Sequence, residues 1–249
     1  ISNGELGTDS GSASYNLEMW IGPAASDIGT NDGGSDSVSL GTITDAGNTV
    51  ELMEANIELL ASLGEQDVAL TIGQFATTVG AESYDYTANA FHSRSVGFQI
   101  EPTHHTGVKA DLSVGGVDVT VGLVNDTTSN ATNAGEGSNA LITGLSYTLG
   151  DSTGWLGGTE LTYGGVHDAG DEGAEITNYY LGITKELVTD LTYSLAWDVR
   201  ETETTADANV VGHYLSYPLG GGTLNLRYEH GNVNGVDLDG DGVTDDGLA

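Results

Sequence analysis

Four aspartates near the carboxyl end of the chain stand at a spacing that can gather a hard cation. Asp237, Asp239, Asp241 and Asp245, with Gly242 following the third, read D-x-D-x-D-G-x-x-D within NVNGVDLDGDGVTDDG. Alternate aspartates converge several oxygens on one point and the glycine permits the sharp bend, which is how calcium loops assemble their ligands. Leu248 stands where such a loop would carry a bidentate glutamate, and no helical pattern flanks the run, so this is not an EF-hand. Calcium is the one cofactor the sequence suggests, and the plainer alternative is a flexible acidic loop.

A second concentration of functional side chains lies between Thr77 and His104, where Glu82, Tyr84, Asp85, Tyr86, Phe91, His92, Arg94, Glu101 and His104 fall within one long segment. Such a mixture packs aromatic rings against a wall while holding charge toward water, and opposed charges at a narrow point filter ions and polar solutes. Glu82, Asp85, Arg94 and Glu101 are therefore candidates for a pore constriction, the alternative being a lid over the mouth. The His104-His105 pair has no second ligand cluster and reads as hydrogen bonding within the loop. Nothing resembles catalytic machinery: there is no nucleophile elbow, phosphate loop or H-E-x-x-H, and carboxylates are too common for any pair to be diagnostic.

The elements around these residues are short runs of strict alternation, while helical periodicity is nearly absent. Eleven such runs are expected: 13–22, 50–61, 67–76, about 108–114, 117–123, 139–149, 157–166, 175–186, 190–201, 208–218 and 222–231. In the second, Met53, Ala55, Ile57, Leu59 and Ala61 oppose Glu54, Asn56 and Glu58. In the ninth, Leu191, Tyr193, Leu195, Trp197 and Val199 oppose Thr192, Ser194, Asp198 and Arg200. One face is apolar in strand after strand and the other carries charge. The charged face would hold Glu18, Glu54, Glu58, Asp111, Asp118, Glu160, Asp198 and Glu229 against Lys109, Arg200 and Arg227. If that face lines a water-filled lumen, its acid excess favours cations. The three bases can equally pair with neighbouring carboxylates to hold the wall.

Composition limits the alternatives. The chain has 249 residues, 37 Asp plus Glu against 5 Lys plus Arg, and a formal net charge of −32, which repels nucleic acid. Cysteine is absent, so there is no disulfide framework or thiolate metal site. No apolar run approaches the length of a membrane helix, but transmembrane strands need only about 9–11 alternating residues. The chain opens on Ile1 without a basic-then-apolar leader, which suits a processed exported protein or a fragment. The acid excess also suits a saline habitat, where salt screens self-repulsion.

The connections sharpen the choice. LGEQD, GG, GDSTGWLG, ELVTD and LGGG are short and follow the even-numbered runs, whereas long acidic or polar segments follow the odd ones. Outer-membrane barrels alternate short periplasmic turns with long outside loops in this way. The reading is therefore an all-β, up-and-down antiparallel transmembrane β-barrel of about twelve strands, occupying 1–249 as one domain. Eleven strands are seen, an acidic outside loop covers 231–249, and a closing strand is implied after Ala249. A soluble antiparallel sandwich is the alternative, although its Greek-key connections would break the loop alternation.

The run GQFATTVGAESYDYTANAFHSRSVGFQIEPTHHTGVKADL resembles the beta-barrel porin-2 family of bacterial outer membranes. That family's members carry Gly-Lys-Phe-Ala-Thr-Pro-x-Gly-x-Glu, then an Asn and Ser-Arg-Ser, then His-Thr-Gly-Val-Arg-Ala. Here these stand as Gly73 to Phe75 with Thr77, Gly80 and Glu82, then Asn89 and Ser93-Arg94-Ser95, then His105-Thr106-Gly107-Val108-Lys109-Ala110. Gln74 and Thr78 depart from the family's Lys and Pro, and the amino-terminal region is more acidic and glycine-rich than the family's. The resemblance covers about a quarter of the chain strongly and implies an outer-membrane channel without naming its solute.

The expected function is thus passive diffusion of small hydrophilic solutes and ions, weakly favouring cations, in a bacterial outer membrane. Glu54, Glu58, Lys109, Asp111, Asp118, Asp198, Arg200, Arg227 and Glu229 would line the pore. Partners would be outer-membrane lipid, small hydrophilic solutes and cations, and either a further copy of the chain or a surface-assembly partner. The competing function is a non-conducting barrel, or a soluble β scaffold, in a surface assembly.

Overall fold

The computed structural model of the chain describes residues 2–8, 11–22, 38–42, 49–64, 66–127, 139–169, 176–202 and 207–233. Most of them are strand: β1 (Ser2–Thr8), β2 (Gly11–Gly22), β3 (Val38–Thr42), β4 (Thr49–Leu63), β5 (Gln66–Ala76), β6 (His104–Val114) and β7 (Val117–Val124) come first. They are followed by β8 (Ala140–Thr148), β9 (Glu160–Asp168), β10 (Ile176–Val188), β11 (Leu191–Thr202), β12 (Ala208–Leu219) and β13 (Gly222–Asn232). A five-residue helix, α1 (Val96–Ile100), interrupts the segment between β5 and β6.

The strands form one antiparallel sheet in the order β1-β2-β4 and then consecutively to β13, with β3 paired to β4 off that path. This is the up-and-down order that alternation and turn spacing predict, and all eleven expected strands are present. The turns behave as their residues dictate. Gly115 (φ 61°) and Gly116 (φ 85°) take the two left-handed positions between Val114 and Val117, which close opposite each other.

Two strands escaped the sequence reading. In β1 two glycines and one large apolar residue, Leu6, leave little alternation to detect, and β3 is only five residues long. β1 adds a strand to the path ahead of β2, which brings the path to twelve strands among the described residues. Among the described residues β1 and β13 do not pair.

The two faces of the sheet are chemically opposite. Ile21, Ile57, Leu123, Trp197, Leu226 and Tyr228 all stand exposed on one face, Ile21 at 71% and Leu123 at 62%. A soluble sheet would cover such a face, but lipid solvates it without cost. The buried apolar residues lie on the other face and gather only where the segment 77–103 meets it. Val79 packs among Phe75, Val124, Ala140, Ile142, Val166, Tyr180 and Ala196. Tyr84 and Phe98 pack on Met53, and Ile100 packs on Ala208, Val210 and Val233.

Met53 corrects the sequence reading, which put it on the outer apolar face. The ladder between β2 and β4 slips after Glu18, so that Glu18 faces Glu54 while Met19 faces Leu52. This bulge turns Met53 inward, where it is fully buried against the loop. A β-bulge reverses the sense of alternation beyond it, and nothing in the local spacing of apolar residues marks where it falls.

Candidate functional site

The segment 77–103 lies on the polar, inner face of the sheet and touches strands from both ends of the path. Trp20 of β2 has its ring 5.9 Å from that of Tyr84 and 6.2 Å from that of Tyr86. At the other end of the path, Arg227 and Glu229 of β13 bind the same segment. The sheet therefore curls around its own loop.

Arg227 is the hub of this seat. One terminal nitrogen donates to Glu82 Oε1 (2.8 Å) and the Ser93 carbonyl (2.9 Å), and the other to Ser93 Oγ (3.0 Å) and the Arg94 carbonyl (2.9 Å). Its Nε stands 3.2 Å from Glu229 Oε2. A planar guanidinium with five donors suits this multi-point grip, which an ammonium could not reproduce. Glu82 and Glu229 continue the attachment. Glu82 Oε2 accepts the Ser95 backbone N–H at 2.9 Å, and Glu229 Oε1 accepts those of Val96 (2.7 Å) and Gly97 (3.2 Å). Ser95 caps α1 by accepting the Phe98 N–H at 3.0 Å, so the first turn of the helix is satisfied jointly by loop and wall.

Opposite, the Tyr84 hydroxyl donates to Glu18 Oε2 at 3.1 Å, and Trp20 Nε1 donates to Glu18 Oε1 at 2.6 Å. Burial, with the negative charges of Glu54 and Glu18, raises the Tyr84 hydroxyl pKa and keeps it a donor. At the start of the segment Thr78 Oγ1 donates to the Thr143 carbonyl at 2.9 Å, and the Thr78 backbone occupies the room beside Gly164. A Cβ at Gly164 would collide with the Thr78 carbonyl, so glycine is required there for close approach. Glu101 is 6% exposed and shares a hydrogen bond with Asp198 of β11, itself 3% exposed.

The four constriction candidates thus divide. Glu82 is spent on Arg227 and Ser95, and Glu101 faces the wall at Asp198. Arg94 donates to the Ser83 and Tyr84 carbonyls, with its guanidinium over the rings of Tyr86 (3.8 Å) and Phe98 (4.2 Å), so it braces the loop internally. Asp85 accepts from Thr87 N and Oγ1, each at 2.8 Å, and caps the short turn at 86–88. His104 and His105 bond Thr103 and Thr77 at 3.1 Å each.

The candidate lining residues lie on the same face. Asn16 donates to Glu54, and Glu58 stands opposite Thr71 across the ladder. Lys109 sits 2.6 Å from Asp111, which also accepts from Thr120 at 2.5 Å, and Asp118 accepts from Ser113. Arg200 lies in register with Asn178 and Ala208. The attachments of Glu18 to Tyr84 and of Arg227 to the Ser93–Arg94 backbone were not read from the sequence. A solitary arginine two residues from Glu229 on a polar strand face was the available hint. Asp237, Asp239, Asp241 and Asp245 lie outside the described residues, as does most of the expected outside loop at 231–249. Among the described residues no group of three or more His, Asp or Glu is arranged to hold a metal.

An up-and-down antiparallel sheet, apolar outside and charged inside, with a long loop packed on its inner wall, defines an outer-membrane β-barrel of the porin class. The model of the family described as "Putative beta-barrel porin-2, OmpL-like" matches residues 2–246, and the chain belongs to that family. It is accordingly a porin of the bacterial outer membrane. Among solved structures, the chain is similar to an anion-selective porin from Comamonas acidovorans, at 14% identity and a TM-score of 0.49, covering 98% of this chain and 71% of that one. It is also similar to the outer-membrane expressed OmpT of Vibrio cholerae, at 13% identity and a TM-score of 0.41, covering 92% and 68%. No curated protein matches the chain.

Proposed function

We propose that the chain is a diffusion porin for small hydrophilic solutes and ions with a weak preference for cations, narrowed by the segment 77–103. The observation that carries this reading is the attachment of that segment to the inner wall through Arg227, with charged side chains around it. A loop held inside a lumen reduces its cross-section and brings fixed charge close to any passing solute.

The cation preference rests on charge already spent. Arg227 is neutralised by Glu82 and Glu229, and Lys109 by Asp111. Arg200 adds one positive charge to the wall, but Glu18, Glu54, Glu58 and Asp118 meet no base in the contacts described above, and negative charge on the wall outweighs positive. The description "anion-selective" belongs to the Comamonas porin, whose likeness to this chain carries no argument about selectivity.

Liposome swelling tests the diffusion reading. Vesicles containing the protein should swell in isotonic solutions of small neutral sugars, faster for smaller solutes. Swelling no faster than in protein-free vesicles would leave a non-conducting scaffold. The calcium reading of Asp237, Asp239, Asp241 and Asp245 is tested by calorimetry: calcium should release or absorb heat with the native chain and not with D239N/D241N, and a silent titration of the native chain disposes of it.

A further inference from the structure

We propose that a proton shared between Glu101 and Asp198 is the latch that holds the segment 77–103 down in the lumen, so that the pore widens as the pH rises. The proposal rests on the diffusion reading for its effect on conduction, but the latch itself is a property of the seat.

Two carboxyl groups hydrogen-bond to each other only if one of them keeps its proton, because a carboxylate has acceptors and no donor. Glu101 belongs to the loop and Asp198 to β11, so their bond ties moving part to wall. Both side chains are almost wholly buried, and Asp198 Oδ1 has no partner. The loop backbone closes directly onto them: a Cβ at Gly80 would collide with the Glu101 carboxyl, and one at Gly97 with that of Asp198. No water-sized layer separates the loop from the pair at these two points.

Among the described residues no ion pair reaches Glu101 or Asp198. Glu82 from the loop and Glu229 from β13 add negative charge, and Tyr180 of β10 and Tyr214 of β12 bring their hydroxyls toward it. Of the nearby bases, Arg227 contacts Glu82, Glu229 and the backbone of Ser93 and Arg94, Arg94 is turned to the Ser83 and Tyr84 carbonyls and the rings of Tyr86 and Phe98, and Arg200, two residues along β11 from Asp198, stands in register with Asn178 and Ala208. Burial, then Asp198, Glu82 and Glu229, hold the Glu101 carboxyl well above the usual carboxylate range. For an acid whose pKa is raised in the seated state, the stabilisation is complete below the ordinary carboxylate pKa and is lost as the pH climbs through the raised value. Above that point two buried carboxylates repel at contact range, and lifting the loop relieves them by admitting water.

The test reads the loop and the current separately. Arg94 is the only lysine or arginine between Thr77 and Thr103, so trypsin cuts this segment only after Arg94, and only when the loop leaves its seat. With the protein in lipid vesicles, cleavage after Arg94 should be slow near about pH 6 and severalfold faster near about pH 9. Rates are normalised to an unfolded substrate at each pH. Single-channel conductance in planar bilayers should rise over the same interval. E101Q keeps a permanent amide donor toward Asp198 and cannot titrate, so it should stay resistant to cleavage and low in conductance throughout. D198N should behave alike from the other side, which guards against either variant failing to insert. Cleavage that does not change with pH, or E101Q that follows the wild-type profile, would overturn the latch. A protein that conducts at no pH but shows the cleavage profile would refute the diffusion reading and leave the latch standing.

Discussion

Arg227 on β13 and Glu82 in the loop after β5 are separated by 145 residues of chain and by 2.8 Å between their charged atoms. That contact closes a path through the lumen. Arg227 stands near one end of the strand order, Tyr84 reaches Glu18 near the other, and the loop between them is attached to both. The position of the loop is therefore fixed by the wall, not by the loop's own short helix.

Removing the hub should free the loop. Arg227→Ala leaves Glu82 and Glu229, whose side chains are largely buried, without their counter-charge, a loss on the order of 3 kcal/mol for breaking one partner of such a pair. Conductance should rise and trypsin should reach Arg94 at neutral pH. Arg227→Lys restores charge without the fork and should recover only part of the effect. Wild-type conductance in Arg227→Ala would show that the loop is held by other contacts.

The β2 attachment is weaker and separable. Tyr84→Phe removes one hydrogen bond to Glu18, worth about 1 kcal/mol, while Trp20 still donates to that carboxylate. Tyr84→Ala also empties the contact with Met53 and Phe98 and should cost about 3–5 kcal/mol, the range for deleting a large buried ring. Thermal unfolding in detergent should rank the two in that order, and equal shifts would contradict the packing role.

Glycine at 164 is a requirement of close approach. Gly164→Ala places a methyl against the Thr78 carbonyl, so the start of the loop must shift and conductance should change. Gly221→Ala, in a turn with open space around it, should leave conductance and stability unaltered. If the two variants are indistinguishable, the loop does not sit against β9.

Wall charge should set selectivity in small increments. Glu54→Gln and Glu58→Gln each remove a negative charge from the inner face and should move the reversal potential in a salt gradient toward zero, additively in the double variant. An unchanged potential in the double variant would place selectivity elsewhere than at these residues.

Much of the fold was legible because period-2 alternation and loop length are local signals. Leu191 to Val199 announces an outer face without reference to any other strand, and Gly115-Gly116 announces a hairpin. Met53 was misplaced because a bulge depends on the partner strand β2, which alternation within β4 does not record. β1 was missed because its glycines carry no face. The loop was legible as a functional segment, but the division of labour within it was not. Glu82, Asp85, Arg94 and Glu101 look alike as charges in a polar loop, and only the arrival of β11 and β13 from far along the chain decides which face a wall and which brace the loop itself.

The reversal potential of the wild-type protein in a planar bilayer under a potassium chloride gradient tests the central claim most directly. The account predicts discrete open-channel currents whose reversal potential has the sign of a modest potassium preference. A reversal of opposite sign would contradict the charge argument, and a membrane in which the inserted protein passes no current would contradict the porin itself.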